Sequence, residues 1–258
     1  RYIIDYLRHH LKYADMLRLD HVMGLHRLFW IPQGFDASQG VYVHYHADEL
    51  YAILAVESHR HKSIIVGEDL GIVPAYVRQT MAKHGLYRMY VLYYELVDKA
   101  SEALGHIPRH AVVSLNTHDM VPFASFWQSA DIEERVGQGL VDEKLSLKER
   151  KYRRSIKTAL ITFLRNKGFL RGIDSGTRDI LRACLSYLSA SRGHILLVNL
   201  EDLWLETQPQ NVPGIGDKFP SWRRKARYGF EEFSRMKEVR DTLKEINRLR
   251  KQGTGKER

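Results

Sequence analysis

The chain has 258 residues, 44% hydrophobic, which is enough apolar content for a substantial core. Its single cysteine, Cys184, excludes an internal disulfide and suits a reducing, cytoplasmic setting, and no apolar run approaches the about 20 residues of a membrane-spanning helix. The formal charge of +9 does not mark a nucleic-acid binder: the 40 basic residues are scattered among 31 acids, and the densest runs (Lys148 to Arg154, Arg223 to Arg227, Arg248 to Arg258) read as solvated helix faces or termini.

Arg1 to Asp15 is polar and amphipathic, unlike a signal peptide, with Ile3, Ile4, Leu7, Leu11 and Ala14 at helical spacing. It lacks an initiator methionine, so Arg1 is read as a fragment boundary. A short apolar run, Met16 to Leu19, ends at Asp20. Asp48 to Arg60 reads as a helix that buries Leu50, Ile53, Leu54 and Val56. Ser63 to Gly67 is apolar and β-branched, as in a strand covered on both faces, and it ends at Glu68-Asp69. Pro74 is placed to open a helix that runs to about Lys83.

Arg88 to Glu95 and Ala111 to Leu115 read as strands, the second running into Asn116-Thr117-His118-Asp119. Helical patterns follow over Ile132 to Gly139, Leu147 to Asn166 and Thr177 to Ala190. His194 to Leu200 reads as another buried strand, ending at Glu201-Asp202. A last helix is expected from Glu231 to Lys251, followed by a fraying Gly-rich basic tail.

Helix and strand alternate about five times, which predicts an α/β fold with a parallel sheet, and no linker divides residues 1–258. A (β/α)8 barrel gathers its functional groups at the C-terminal strand ends, and an open doubly wound sheet uses a crevice there. Periodicity leaves both open, and five strands are too few for a whole barrel.

Three segments put an acid directly after an apolar strand: RLDH (Arg18 to His21), GEDLG (Gly67 to Gly71) and NTHDM (Asn116 to Met120). One acid in such a place is most simply a turn former or helix cap, and Asp69 and Asp202 suit capping especially. Three, each beside a His, an Arg or a second acid, suit retaining glycoside transfer. That chemistry needs two carboxyl groups about 5–5.5 Å apart, one a nucleophile and the other an acid and then a base. Arg18 lies two residues before Asp20, on the same side of a strand, where it would keep a nucleophile ionised. Glu68, beside Asp69, is the candidate acid, a role that requires burial or a like-charged neighbour.

The blocks RLDHVMGLHRLFWIP (Arg18 to Pro32), GEDLGIVP (Gly67 to Pro74), NTHD (Asn116 to Asp119), NLEDLWLETQPQNVPG (Asn199 to Gly214) and PSWRRK (Pro220 to Lys225) resemble the signature blocks of the amylomaltase or disproportionating-enzyme family, family 77 of the glycoside hydrolases. They fall in the family's order and span almost the whole chain. GVYVHYHADEL (Gly40 to Leu50) is similar to the bacterial maltose-utilisation branch. The resemblance implies a 4-alpha-glucanotransferase that needs no cofactor and acts on malto-oligosaccharides and alpha-glucans. It makes Asp20 the nucleophile, Glu68 the acid/base and Asp119 a third carboxylate that holds sugar hydroxyls. Arg18 then orients the nucleophile and His118 hydrogen-bonds the donor sugar; Asn116 and Trp30 are further substrate-binding candidates.

The implied fold is a partial (β/α)8 barrel with strands about four to eight and their helices. Its first three strands would come from an upstream half of the protein or from a second copy, and without them the isolated chain is expected to be weakly active or inactive, because a half-open site neither excludes water nor positions an acceptor. The family often has Asn where Met120 and Ser221 stand and Gly where Arg88 stands. Two other functions compete: an alpha-glucan hydrolase, which shares the first half-reaction, and a non-catalytic glucan-binding or truncated domain.

Other features carry less. His44, His46, His59 and His61 lack the spacing of a closed ligand set, so no metal is predicted. Tyr42, Tyr45, Trp30 and Trp127 offer rings for stacking on glucose, although the block around Trp30 looks like core. Cys184, on an apolar helix face, reads as a small buried residue.

Overall fold

The computed structural model describes residues 1–172, 174–214 and 221–254. Pro220, the first residue of PSWRRK, and the end of the basic tail lie outside them. The chain forms two compact units, Arg1–Tyr90 with Pro108–Val112 and Val91–Ile107 with Val113–Arg258.

The first unit opens with α1 (Tyr2–Leu11), followed by β1 (Met16–Leu19), the antiparallel hairpin β2 (Arg27–Trp30) and β3 (Val41–His44), α2 (Ala47–His61), β4 (Ile64–Gly67) and α3 (Ala75–Lys83). β1 and β4 pair in parallel with Met16 opposite Ile64 and Leu19 opposite Gly67. The ladder extends past β4, where Gly67 N–H donates to the Tyr87 carbonyl at 2.9 Å. Helical spacing decides what is buried: Leu7 and Leu11 of α1, Tyr51 and Leu54 of α2, and Val77 and Met81 of α3 close on Ile65 and Val22. Pro74 caps the start of α3, where its missing N–H is harmless.

On α2 the buried positions are Tyr51, Leu54 and Glu57, while Val56, expected inside, is exposed. Glu57 is buried because Arg8 and Arg60 both donate to its carboxylate.

β5 (Arg88–Val91) and β6 (Ala111–Ser114) each pass from one unit into the other. With β7 (Ile195–Leu196) they form a sheet in the order β5-β6-β7. The strand expected over Arg88 to Glu95 ends at Val91, and Leu92–Glu95 turns into the short helix α4. Its β-prone aromatics are diverted: the Tyr93 ring stacks on Phe126 at 4.2 Å. The strand expected over His194 to Leu200 shrinks to two residues. β7 ends its sheet, Leu197 is exposed, and Leu200 already begins α9 (Leu200–Leu203).

Helices supply the rest of the second unit. They are α5 (Phe123–Gln128), α6 (Ala130–Gly137), α7 (Glu143–Asn166), α8 (Thr177–Ser189), α10 (Phe230–Phe233) and α11 (Lys237–Thr254). The single last helix expected from Glu231 is thus two. Asp142 caps α7 by accepting the Leu145 N–H at 2.7 Å. Ile180, Leu181, Cys184, Leu185 and Leu188 of α8 are buried, as are Ile156, Leu160, Phe163 and Leu164 of α7. Burial pushes the Cys184 thiol far up. Among the described residues no helix is long and apolar enough to cross a membrane.

Candidate active site

In the first unit the site begins where β1 and β4 end together. Asp20 and Glu68 each stand one residue beyond the pair Leu19–Gly67. The ladder continues there, since Glu68 N–H donates to the Leu19 carbonyl at 2.9 Å and Val22 N–H to the Glu68 carbonyl at 3.0 Å. Neighbouring strands run about 4.8 Å apart. The backbones of Asp20 and Glu68 therefore stand about one strand spacing apart.

His21 then takes the left-handed conformation, φ 45. For a residue with a Cβ this costs about 1–2 kcal/mol, so something must hold it. The holder is Glu68: the His21 N–H donates to its Oε2 at 2.9 Å, while the Leu70 N–H donates to Oε1 at 2.8 Å. The Glu68 carboxylate is half-buried and fixed by two backbone donors, whereas Asp20 is exposed. Gly67 permits this close approach. A Cβ there would lie 2.7 Å from Met81 Cε and 2.8 Å from Val22 Cγ2.

Arg18 stands beside Asp20, as strand periodicity anticipates, and its Nη2 donates to Asp20 Oδ1 at 2.7 Å, a charge-assisted bond that orients the carboxylate. Asp69 differs from both expectations for it. It caps no helix, and its like charge is already engaged. The carboxylate has no exposed surface and receives Arg88 Nε at 2.7 Å and Arg78 Nε at 3.0 Å.

In the second unit β6 runs into the loop that bears Asn116, His118 and Asp119. His118 Nε2 lies 3.2 Å from Asp119 Oδ2, and Asn211 Nδ2 donates to Asp119 Oδ1 at 2.6 Å. The His118 ring faces that of Trp222 at 5.8 Å, and Trp222 is itself exposed with φ 62. Sequence reasoning quoted the blocks that hold Asn211 and Trp222 without singling out either residue. An Asn and a Trp beside Pro-rich turns are the only signal they offer.

Asn116, read as a substrate contact, is buried and donates through Nδ2 to Asp202 Oδ2 at 2.9 Å. Asp202 Oδ1 accepts the Phe123 N–H. Asp202 therefore fastens both ends of the loop instead of capping α9, whose cap is Asn199. Burial pushes the Asp202 carboxyl up to about 6, opposed by its bonds from Phe123 and Asn116 and reinforced by the Glu201 charge. Glu201 itself receives Arg224 Nη2 at 2.7 and 2.8 Å.

The aromatic candidates divide. Trp30 is not core: it lies 56% exposed on the β2–β3 hairpin, with Nε1 donating to the Tyr45 hydroxyl at 3.0 Å. Tyr42 is exposed and packs against Phe29 and the Arg27 guanidinium. Trp127 is buried against Phe123 beneath Lys157, which removes it from any sugar surface. Among the described residues no three His, Cys, Asp or Glu side chains are grouped so as to hold a metal ion.

Asp20 and Glu68 thus stand at adjoining parallel strand ends, with Arg18 bonded to the first. A family model described as 4-alpha-glucanotransferase matches residues 1–230, and the chain belongs to that family, glycoside hydrolase family 77. It is 34% identical over 229 residues to the 4-alpha-glucanotransferase of Haemophilus influenzae, covering 86% of this chain and 33% of that protein. It is 32% identical over 219 residues to the 4-alpha-glucanotransferase of Mycobacterium tuberculosis, covering 83% and 30%. The chain thus spans about a third of the length of these relatives. Its fold is similar to that of the amylomaltase from Corynebacterium glutamicum, with a TM-score of 0.82 at 22% identity over 95% of this chain and 37% of the other. It is also similar to an amylomaltase from Streptococcus agalactiae in complex with acarbose, with a TM-score of 0.71 at 18% identity over 97% and 44%.

Proposed function

We propose that this chain carries the catalytic carboxylates of a 4-alpha-glucanotransferase that moves alpha-1,4-glucan segments between malto-oligosaccharides by retaining double displacement. The observation that carries the reading is the parallel step from Leu19–Gly67 to Asp20 and Glu68. Asp20 attacks the anomeric carbon while Glu68 protonates the departing glycosidic oxygen, leaving a glucosyl ester on Asp20. Glu68 then takes the proton from an incoming sugar hydroxyl, which attacks the ester and releases Asp20. Arg18 aligns the nucleophile, and the two backbone donors on Glu68 keep its carboxyl in place as it changes role. Asp119, with His118 beside it, holds sugar hydroxyls, and Trp30 offers an exposed ring to a glucan.

In the same reading β1 and β4 to β7 are part of a (β/α)8 barrel wall, other strands come from further sequence or a second copy, and the protein works in the cytoplasm. The test is trapping with a fluorinated glucosyl fluoride, a donor that forms the ester faster than it releases it, read by intact and peptide mass. A glucosyl adduct on Asp20, absent from Asp20→Asn together with the malto-oligosaccharide ladder, is the expected result. A ladder that persists in Asp20→Asn overturns the reading.

A further inference from the structure

The catalytic reading gives no task to Asp69, although it is among the most heavily engaged side chains of the first unit. Besides the two guanidinium groups on Oδ2, its Oδ1 accepts the Met89 N–H at 3.0 Å, and its backbone carbonyl accepts Arg78 Nη2 at 3.2 Å. One carboxylate with no exposed surface therefore fixes the first two residues of β5, through the Arg88 side chain and the Met89 backbone. A buried carboxylate is held in place only when its charge is matched by donors of this kind.

Two lines lead outward from it. Along the chain, Asp69 is bonded directly to Glu68, so anchoring its carbonyl and carboxylate sets the backbone from which the acid/base projects. Across the strands, Met89 Sδ receives Arg18 Nε at 3.4 Å, and the same guanidinium reaches Asp20 Oδ1 through Nη2. Arg88 supplies the shorter of the two ion pairs.

We propose that Asp69 is a positioning residue that sets both Glu68 and, through Met89 and Arg18, Asp20, and that Arg88 completes this clamp. Its effect on turnover rests on the transferase reading, but its effect on Arg18 does not. Small displacements of reacting groups fall on the chemical step more than on substrate binding, because the binding surface is left intact.

The experiment compares Asp69→Asn and Arg88→Met with the parent in the full chain. It follows fold by near-ultraviolet circular dichroism, the Arg18 Nε–Hε resonance by nitrogen-edited NMR, and kcat and KM with malto-oligosaccharides. Asp69→Asn is expected to stay folded, shift the Arg18 resonance and lower kcat about a hundredfold with KM little changed. Arg88→Met does the same to a smaller extent, since Arg78 remains. A folded Asp69→Asn with an unmoved Arg18 resonance overturns the proposal, as does a loss that appears in KM alone. If Asp69→Asn fails to fold, Arg88→Met decides on the same readouts. If the parent chain transfers no glucan, the Arg18 resonance still decides the clamp.

Discussion

The tripeptide Glu-Asp-Leu occurs twice, as Glu68-Asp69-Leu70 in the first unit and Glu201-Asp202-Leu203 in the second, and the structure treats the two in opposite ways. In the first the Asp takes the guanidinium groups and the Glu takes backbone N–H donors. In the second the Glu takes Arg224, and the Asp takes a neutral amide and one backbone N–H. In both, the Asp side chain is buried: Asp69 fixes the start of β5, and Asp202 fastens a loop. Among the described residues, Glu68 has no cation paired with it, whereas Glu201 has Arg224. The difference teaches that a carboxylate's task follows from its donors, and the tripeptide itself is silent.

The widest separation between the two copies is expected in turnover. Under the proposed function, in which Glu68 is the acid/base, Glu68→Gln lowers kcat by about a thousandfold. Glu201→Gln leaves kcat within the same order of magnitude, and equal losses in an oligosaccharide-ladder assay would break the comparison. Stability at neutral pH comes next. Asp69→Asn leaves two guanidinium groups facing a neutral amide and costs about 3 kcal/mol. Asp202→Asn meets only neutral donors and costs about 1–2 kcal/mol. Urea titrations of both variants give the ranking, and the reverse order would contradict the assignment of donors.

The finest test is in pH. The folded Asp202 carboxyl sits near 6, above the ordinary 3.8, so the native state holds its proton more firmly than the unfolded chain does. Stability from this group is fully present below about pH 4 and is lost as pH rises to about 6, by up to about 3 kcal/mol for a shift of about two pH units. The difference between the parent and Asp202→Asn should show that slope, and a flat difference would mean that Asp202 is ionised without penalty.

Much of the frame was legible because local and tertiary preferences agree. The apolar positions of α1 and α8, the β-branched run of β4 and the proline before α3 each admit one answer. Misreadings arose where tertiary demand won. RMYVLYYE carries strand propensity throughout, yet Tyr93 is drawn into a stack with Phe126 and the strand stops at Val91. RLFW looks like core because it is apolar, but the β2–β3 hairpin leaves most of it exposed. The positions of Asp20 and Glu68 at strand ends, and of Arg18 beside Asp20, were readable from strand ends and period two. The Asp69 clamp was not, since Arg78 and Arg88 lie on other elements and nothing in their spacing points to Asp69.

The solitary thiol of α8 has a practical corollary. Cys184 has no exposed surface, and its sulfur is held far from ionisation, so alkylating reagents, which attack the thiolate, meet nothing to react with while α8 stays packed. The protein thereby comes with a built-in clock. The rate at which a bulky reagent labels it measures how often the second unit opens, with no residue introduced for the purpose.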